Sequence, residues 1–140
     1  MSHTATVKLD RMFGSTESVI RAMTDMGIKR EHIEVSNEFR VDLRMWDNTK
    51  AKANIVVRRE HAGGYGDLGF EHHEDGSWSM HCDNMSPYHK DDWKKKFMSR
   101  FAVQKIGYEA ESQGRTWNEQ TVERDGKQYV HVRVNYSGGH

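Results

Sequence analysis

The chain has 140 residues, of which 35% are hydrophobic and 30% charged, and its 21 basic and 21 acidic side chains give a formal net charge of zero. This length predicts one domain, and the balanced charge argues against a protein that mainly coats nucleic acid or an anionic membrane. A single cysteine excludes an internal disulfide and favours a cytoplasmic location. Since no apolar run is long enough to span a bilayer, we expect no membrane partner.

The first half of the chain predicts a strand, a helix and further strands. Residues 5–11 are rich in β-branched side chains and predict the first strand. Ser15 then occupies the position of a helix N-cap, and Gly27 that of a helix stop. Between them, four apolar residues recur at helical spacing, namely Val19, Ile20, Met23 and Met26. Residues 32–46 predict one or two strands and residues 52–60 another, followed by a Gly-rich loop at 61–67.

The stretch GFEHHEDGSWSMHC at residues 69–82 predicts a β-hairpin, and its loop length decides what each face carries. A two-residue turn would mix apolar and charged side chains on one face. A three-residue loop at 74–76 instead pairs His73 with Ser77 and separates the two classes, so we favour it. The apolar face then carries Leu68, Phe70, His72, Trp78, Met80 and Cys82. The polar face carries Gly69, Glu71, His73, Ser77, Ser79 and His81.

This register bears on metal binding, because His72, His81 and Cys82 are the candidate ligands. His73 and His81 share one face and His72 and Cys82 the other, each pair roughly 13 Å apart, whereas zinc needs ligand atoms about 2.0–2.3 Å from one centre. A site would have to recruit a histidine from another element, and the possible donors are His61, His89 and His131. We therefore expect no metal cofactor, with His72 beside Trp78, Cys82 buried, and His73 and His81 in solvent.

The last third of the chain predicts the strongest helix and a second hairpin. Pro87 follows Ser86 at the helix entry, and Gly114 ends the helix. One apolar face is formed by Trp93, Phe97, Met98, Phe101, Ala102, Ile106 and Tyr108. A hairpin follows with its turn at Asp125-Gly126. The predicted fold is α+β, a mostly antiparallel sheet with two helices on one face in the order β-α-β-β-β-β-α-β-β, with one domain at 1–136 and a flexible tail at 137–140.

Two surface features are candidate partner-binding sites. Tyr65 lies at the tip of the Gly-rich loop, which lacks P-loop spacing and is therefore more typical of a binding loop than of a phosphate cradle. Cations also cluster near the start of the second helix, where the helix dipole disfavours them: Lys94, Lys95, Lys96 and Arg100. Either the helix begins nearer to Pro87, or these cations bind an acidic protein or a nucleic-acid backbone.

The sequence also resembles a known family. The start MSHTATVKL, the central DLGFEHHEDGSWSMHCDNM and the late FMSRFAVQKIGYEAESQG occur in its order and spacing, with matches at Met1-Ser2-His3, Phe70, Asp83, Phe97, Arg100, Gln113 and Gly114. It is a family of small proteins of unknown function encoded in cyanobacteria, red-algal plastids, other bacteria and some bacteriophages. The resemblance implies a compact α+β domain. Bacterial members beside an AAA-type ATPase imply an adaptor, and phage members a host-modulating role. Residues 45–67 depart from the family, being longer and more polar.

No catalytic constellation is present, since the chain has neither a GxSxG nor an HExxH motif. We therefore expect a non-enzymatic binding or regulatory protein without a cofactor that acts through protein–protein contacts, with an AAA-type ATPase or another host complex as partner. A nucleic-acid or nucleotide binder that uses the basic helix start and the Gly-rich loop is the first alternative. A metal-binding protein is the second.

Overall fold

The structure is a computed structural model that describes residues 4–135, with the first strand described through its backbone alone. The Met-Ser-His start and the tail predicted at 137–140 lie outside the described residues. In chain order the elements are β1 (Thr4–Phe13), α1 (Thr16–Asp25), β2 (Glu34–Val35), β3 (Val41–Asp42), β4 (Lys52–Ala53), β5 (Ile55–Val57), β6 (Leu68–His72), β7 (Ser77–Asp83), α2 (Asp91–Ser112), β8 (Thr116–Arg124) and β9 (Lys127–Asn135).

The main sheet has five antiparallel strands in the order β1-β7-β6-β5-β2. Its centre is the β6–β7 hairpin, and the register favoured from the sequence is confirmed. His73 N–H donates to Ser77 O at 2.8 Å, and Gly76, with φ of 90°, takes the left-handed conformation that a three-residue loop requires. Phe70 lies opposite Met80, and His72 opposite Trp78.

The apolar face of this hairpin forms the main core together with both helices. Phe70, Trp78 and Met80 are at most 1% exposed, and they share one cluster with the apolar residues of α1 and α2. Capping fixes where α1 lies: Ser15 Oγ accepts Ser18 N–H at 3.1 Å, as predicted for an N-cap. The predicted α+β class, with both helices on one face of an antiparallel sheet, is confirmed.

The strand pattern between the helices is richer than the predicted order. Six strands lie there instead of four, because residues 32–46 form two strands, β2 and β3, and Asn54 divides the predicted strand at 52–60 into β4 and β5. Asn54 Oδ1 accepts His72 N–H at 2.9 Å, and its Nδ2 donates to Ser36 O at 3.1 Å. β4 pairs with β3 in a small separate sheet, which covers the second face of the main sheet around Val56.

Three predictions for the last third of the chain are wrong. The hairpin β8–β9 does not join the main sheet but forms a separate two-stranded sheet. α2 begins at Asp91, after a short 3-10 turn at Pro87–His89, and two residues of its predicted apolar face, Ala102 and Ile106, are exposed. The reason is that α2 has several neighbours, so its buried residues surround more of the helix than a single stripe.

Phe70 and Phe39 provide a matched test of this core. Phe70 is fully buried and Phe39 is 66% exposed. We expect Phe70→Ala to lower the free energy of unfolding by about 3–5 kcal/mol, because the substitution leaves a cavity. Phe39→Ala should change it by less than about 0.5 kcal/mol. Urea denaturation of both variants measures the two values, and equal losses would contradict the placement of the core.

Candidate binding surfaces

The structure places the predicted metal candidates on opposite faces of the β6–β7 hairpin. His72 stacks on Trp78 with ring centroids 4.3 Å apart, as predicted. His81 is only 7% exposed, so the prediction of a solvent-exposed side chain is wrong for this residue. It lies on a strand flanked by two others, and its Nε2 donates to Glu71 Oε1 at 2.9 Å. Glu71 also pairs with Arg40 at 3.1 Å.

Cys82 is the predicted buried thiol. It is 1% exposed, and burial raises the pKa of its thiol to about 11, so it does not form a thiolate near neutral pH. His61, one of the histidines that a metal site would have to recruit, instead stacks on His32 with centroids 3.8 Å apart. Among residues 4–135, leaving aside the side chains of β1, no three His, Cys, Asp or Glu side chains are arranged to hold a metal ion.

Tyr65 lies at one end of the sheet, where three loops meet. We call this region the loop end and define it as residues 43–51, 58–67 and 84–90. A Cβ on Gly66 would lie 3.4 Å from Arg44 O, and one on Gly63 would lie 3.5 Å from Pro87 Cδ, so the Gly-rich loop contacts both other loops. Three large apolar side chains are exposed here: Tyr65, Trp46 and Met85. That Tyr65 binds a partner stays a prediction, and its exposure together with two other large apolar side chains is consistent with it.

A buried carboxylate that the sequence did not point to organises the loop end. Asp67 is fully buried, and its Oδ2 accepts Arg44 N–H at 2.7 Å and an Arg58 guanidinium N–H at 2.8 Å. Its Oδ1 accepts Arg59 N–H at 2.7 Å. The cation of Arg58 balances the buried charge, and the two backbone bonds fix the chain at Arg44 and Arg59.

The four predicted cations of α2 do not act as one patch. Lys94 pairs with Asp91 at 3.5 Å in the first turn of the helix. Lys95 and Lys96 are exposed and form no ion pair within the described residues. Arg100 instead binds both oxygens of Glu119, at 2.7 and 2.8 Å, and also Asp25 at 3.0 Å. Arg100 therefore joins α2 to α1 and β8, and its charge is balanced within the chain.

The hairpin β8–β9, residues 116–135, projects from α2, and we call it the arm. Nine residue pairs join its strands, and its turn has positive φ at both Asp125 (52°) and Gly126 (75°), as in a type I′ turn. None of its residues is buried. Tyr129 is 47% exposed and Val130 36%. The arm therefore presents nearly all of its side chains to solvent.

The base of the arm is held by what we call the arm junction, which comprises Arg21, Asp25, Arg100, Gly107, Glu111, Trp117 and Glu119. The indole of Trp117 lies so close to Gly107 that a Cβ there would be 2.2 Å from Trp117 Cε2. Trp117 Nε1 donates to Glu111 Oε2 at 2.8 Å, and Glu111 accepts two further bonds from Arg21 at 2.6 and 3.0 Å. Two helices and one strand thus meet in two charged groups, one around Glu111 and the other around Arg100.

The two faces of the arm differ in charge. Trp117 and Glu119 contact α2, so the inner face carries them and their alternate neighbours. We call the opposite side the outer face of the arm. Its residues are Thr116, Asn118, Gln120, Val122, Arg124, Lys127, Tyr129, His131, Arg133 and Asn135. This set includes three side chains that are positively charged at neutral pH and one histidine, but no carboxylate. The inner face, in contrast, includes Glu119 and Glu123.

Gly107 should control how the arm attaches. Alanine favours a helix over glycine by about 1 kcal/mol, but its Cβ has no room beneath Trp117. We expect Gly107→Ala to lower stability and to accelerate amide hydrogen exchange in β8 and β9. In a Trp117→Ala background the same substitution should raise stability by up to about 1 kcal/mol. A double-mutant cycle by urea denaturation measures the difference, and the same effect in both backgrounds would contradict this contact.

The junction should also make stability depend on acid in a defined range. Hydrogen bonds from Arg21 and then Trp117 lower the pKa of Glu111 from 4.5 to about 2. Because the folded pKa is the lower one, the stabilisation by Glu111 is complete above about pH 5 and is lost as the pH falls towards 2. Urea denaturation at several pH values in this range measures the free energy of unfolding. We expect the slope of this free energy against pH to be smaller in Glu111→Gln than in the wild type. An unchanged slope would mean that Glu111 is not bound as described.

In the described part, neither helix is long and apolar enough to cross a membrane.

Comparison with known proteins places the chain in a family. No curated protein and no solved structure matches the chain. The family model described as "Protein of unknown function (DUF1257)" matches residues 22–130, which span the chain from α1 into β9. Since this match covers well over half of its length, the chain belongs to the DUF1257 family, a family of proteins of unknown function.

Proposed function

We propose that this protein is a non-enzymatic binding protein that contacts an acidic surface of another protein through the outer face of the arm. The observation that supports this best is the exposure of the arm together with the absence of carboxylates from its outer face. Charge complementarity of this kind speeds encounter and selects the partner. An AAA-type ATPase or another host complex is the partner class implied by the family resemblance, and the single cysteine favours the cytoplasm as its location.

The energetics of the arm support a role in binding. A two-stranded hairpin alone is at best marginally stable in water, and this one buries none of its residues. Its contribution to the core is therefore small, and a dedicated network of charges at the arm junction holds it in place. A second protein laid on the outer face would bury Tyr129 and Val122, which lie opposite each other in the ladder.

The composition of the outer face suits a protein partner better than a nucleic acid. Tyrosine and arginine are the residues enriched in the energetically important parts of protein interfaces, and Tyr129, Arg124 and Arg133 provide both types. The whole chain has no charge surplus, unlike proteins whose affinity comes mainly from phosphate contacts. Nucleic-acid binding, with Lys95 and Lys96 as further contacts, remains the alternative. The experiment must distinguish it from binding to a protein.

A paired set of charge reversals tests the proposal. We expect Arg124→Glu with Arg133→Glu to abolish capture of a protein partner by the full chain. Lys95→Glu with Lys96→Glu changes the charge equally on α2 and should leave capture unchanged. A photo-crosslinker at position 129 should label the captured protein directly.

Three outcomes would contradict the proposal. Equal losses in the two double variants would show a general charge effect, and a captured protein that position 129 does not label would place the contact elsewhere. Capture that disappears with nuclease, and falls steeply between about 50 and about 200 mM salt, would identify a nucleic-acid binder instead.

A further inference from the structure

We propose that a cleft at the loop end binds the phosphate group of a small phosphorylated compound. The cleft lies between the loop that joins β3 to β4 and Arg59, which precedes the Gly-rich loop, and it has a volume of about 580 Å³. This volume is in the range of small-molecule sites. Its lining includes four cationic residues and one carboxylate: Arg44, Lys50, Lys52, Arg59 and Asp42. The cleft is separate from the arm, so this inference is independent of the proposed function.

The charges of the cleft do not balance. Lys52 pairs loosely with Asp42 at 3.8 Å, and Arg44 pairs with Glu60 at 2.8 Å. Lys50 and Arg59 have no carboxylate within ion-pair distance among the described residues, and Arg59 affects Glu60 only by longer-range attraction. Two unpaired cations remain in one concave site, which is the charge that a phosphate dianion would balance.

The buried carboxylate behind the cleft makes this arrangement rigid. Asp67 holds the backbone N–H groups of both Arg44 and Arg59, the two arginines that line the cleft from separate segments of the chain. Because Arg58 neutralises Asp67 at 2.8 Å, the guanidinium of Arg59 is not needed for that purpose. Asp67 is therefore a positioning residue, and the site is organised before a ligand binds.

An exposed aromatic residue lies next to the cleft lining in the chain. Trp46 is 58% exposed and directly follows Met45, a lining residue. Tyr65, at 39% exposure, precedes Gly66, where a Cβ would lie 3.5 Å from Met45 Cα in the same segment. A flat base attached to the phosphate could stack on such a ring, as bases do on aromatic side chains in nucleic-acid sites. This feature distinguishes a nucleotide from a simple phosphate ester.

Calorimetric titration of the full chain with inorganic pyrophosphate and with ATP tests the site. We expect saturable binding of both probes, and a loss of on the order of tenfold or more in Lys50→Gln with Arg59→Gln, since each charge-assisted bond is strong. Lys95→Gln with Lys96→Gln removes the same charge from α2 and should bind like the wild type. If the Arg59 substitution alters folding, Lys50→Gln alone is compared with the wild type, because Lys50 lies on an exposed loop.

The remaining outcomes are also decisive. Tighter binding of ATP than of pyrophosphate, reduced to the same affinity by Trp46→Ala, would identify a nucleotide site, and equal affinities would identify a site for the phosphate group alone. Asp67→Asn should weaken both probes without removing any lining side chain. Absence of saturable heat with either probe, or equal weakening by the two lysine-containing double variants, would overturn the proposal.

Discussion

The register of the β6–β7 hairpin is the constraint on which the other parts depend. With Gly76 in the left-handed conformation, Phe70, Trp78 and Met80 point to one face, and both helices pack there. The other face then receives Gly69, where a Cβ would lie 2.6 Å from Leu43 Cδ1. That missing side chain lets the β3–β4 hairpin lie close against the sheet, and the cleft forms beneath its loop. A shift of one residue would exchange the two faces.

Much of this arrangement could be predicted from the sequence, because the relevant signals are local. Ser15 is recognised by its capping side chain, and Gly27 and the Asp125-Gly126 turn depend on positive φ values that few residues adopt. The hairpin register followed from matching apolar side chains across the loop. The separation of β8–β9 from the main sheet did not follow from the sequence. Its alternating pattern is compatible with an edge of the main sheet as well as with a separate arm. Only Gly107, a glycine within the strongest helix, signalled a close contact there.

The candidate sites were harder to predict because they depend on pairing across long separations in the chain. Arg100 looked like part of a surface patch, yet Asp25 and Glu119 neutralise it from 75 and 19 residues away. Asp67 looked like an ordinary loop residue, although it is fully buried among arginine groups. His81 was assigned to solvent because it lies on the polar face of the hairpin, yet it is buried there and binds Glu71. The spacing of apolar residues along the chain carries no information about such contacts.

The balanced total charge also concealed where free charge lies. Several arginines are paired with carboxylates in the described part of the chain: Arg21, Arg40, Arg44, Arg58 and Arg100. Each such pair removes one acidic and one basic group from the surface charge at short range. Among the described residues, cations without an ion pair then lie on the outer face of the arm and in the cleft at Lys50 and Arg59, as well as on α2 at Lys95 and Lys96. A net charge of zero therefore excludes a uniform anion-binding surface but is compatible with two separate anion-binding sites.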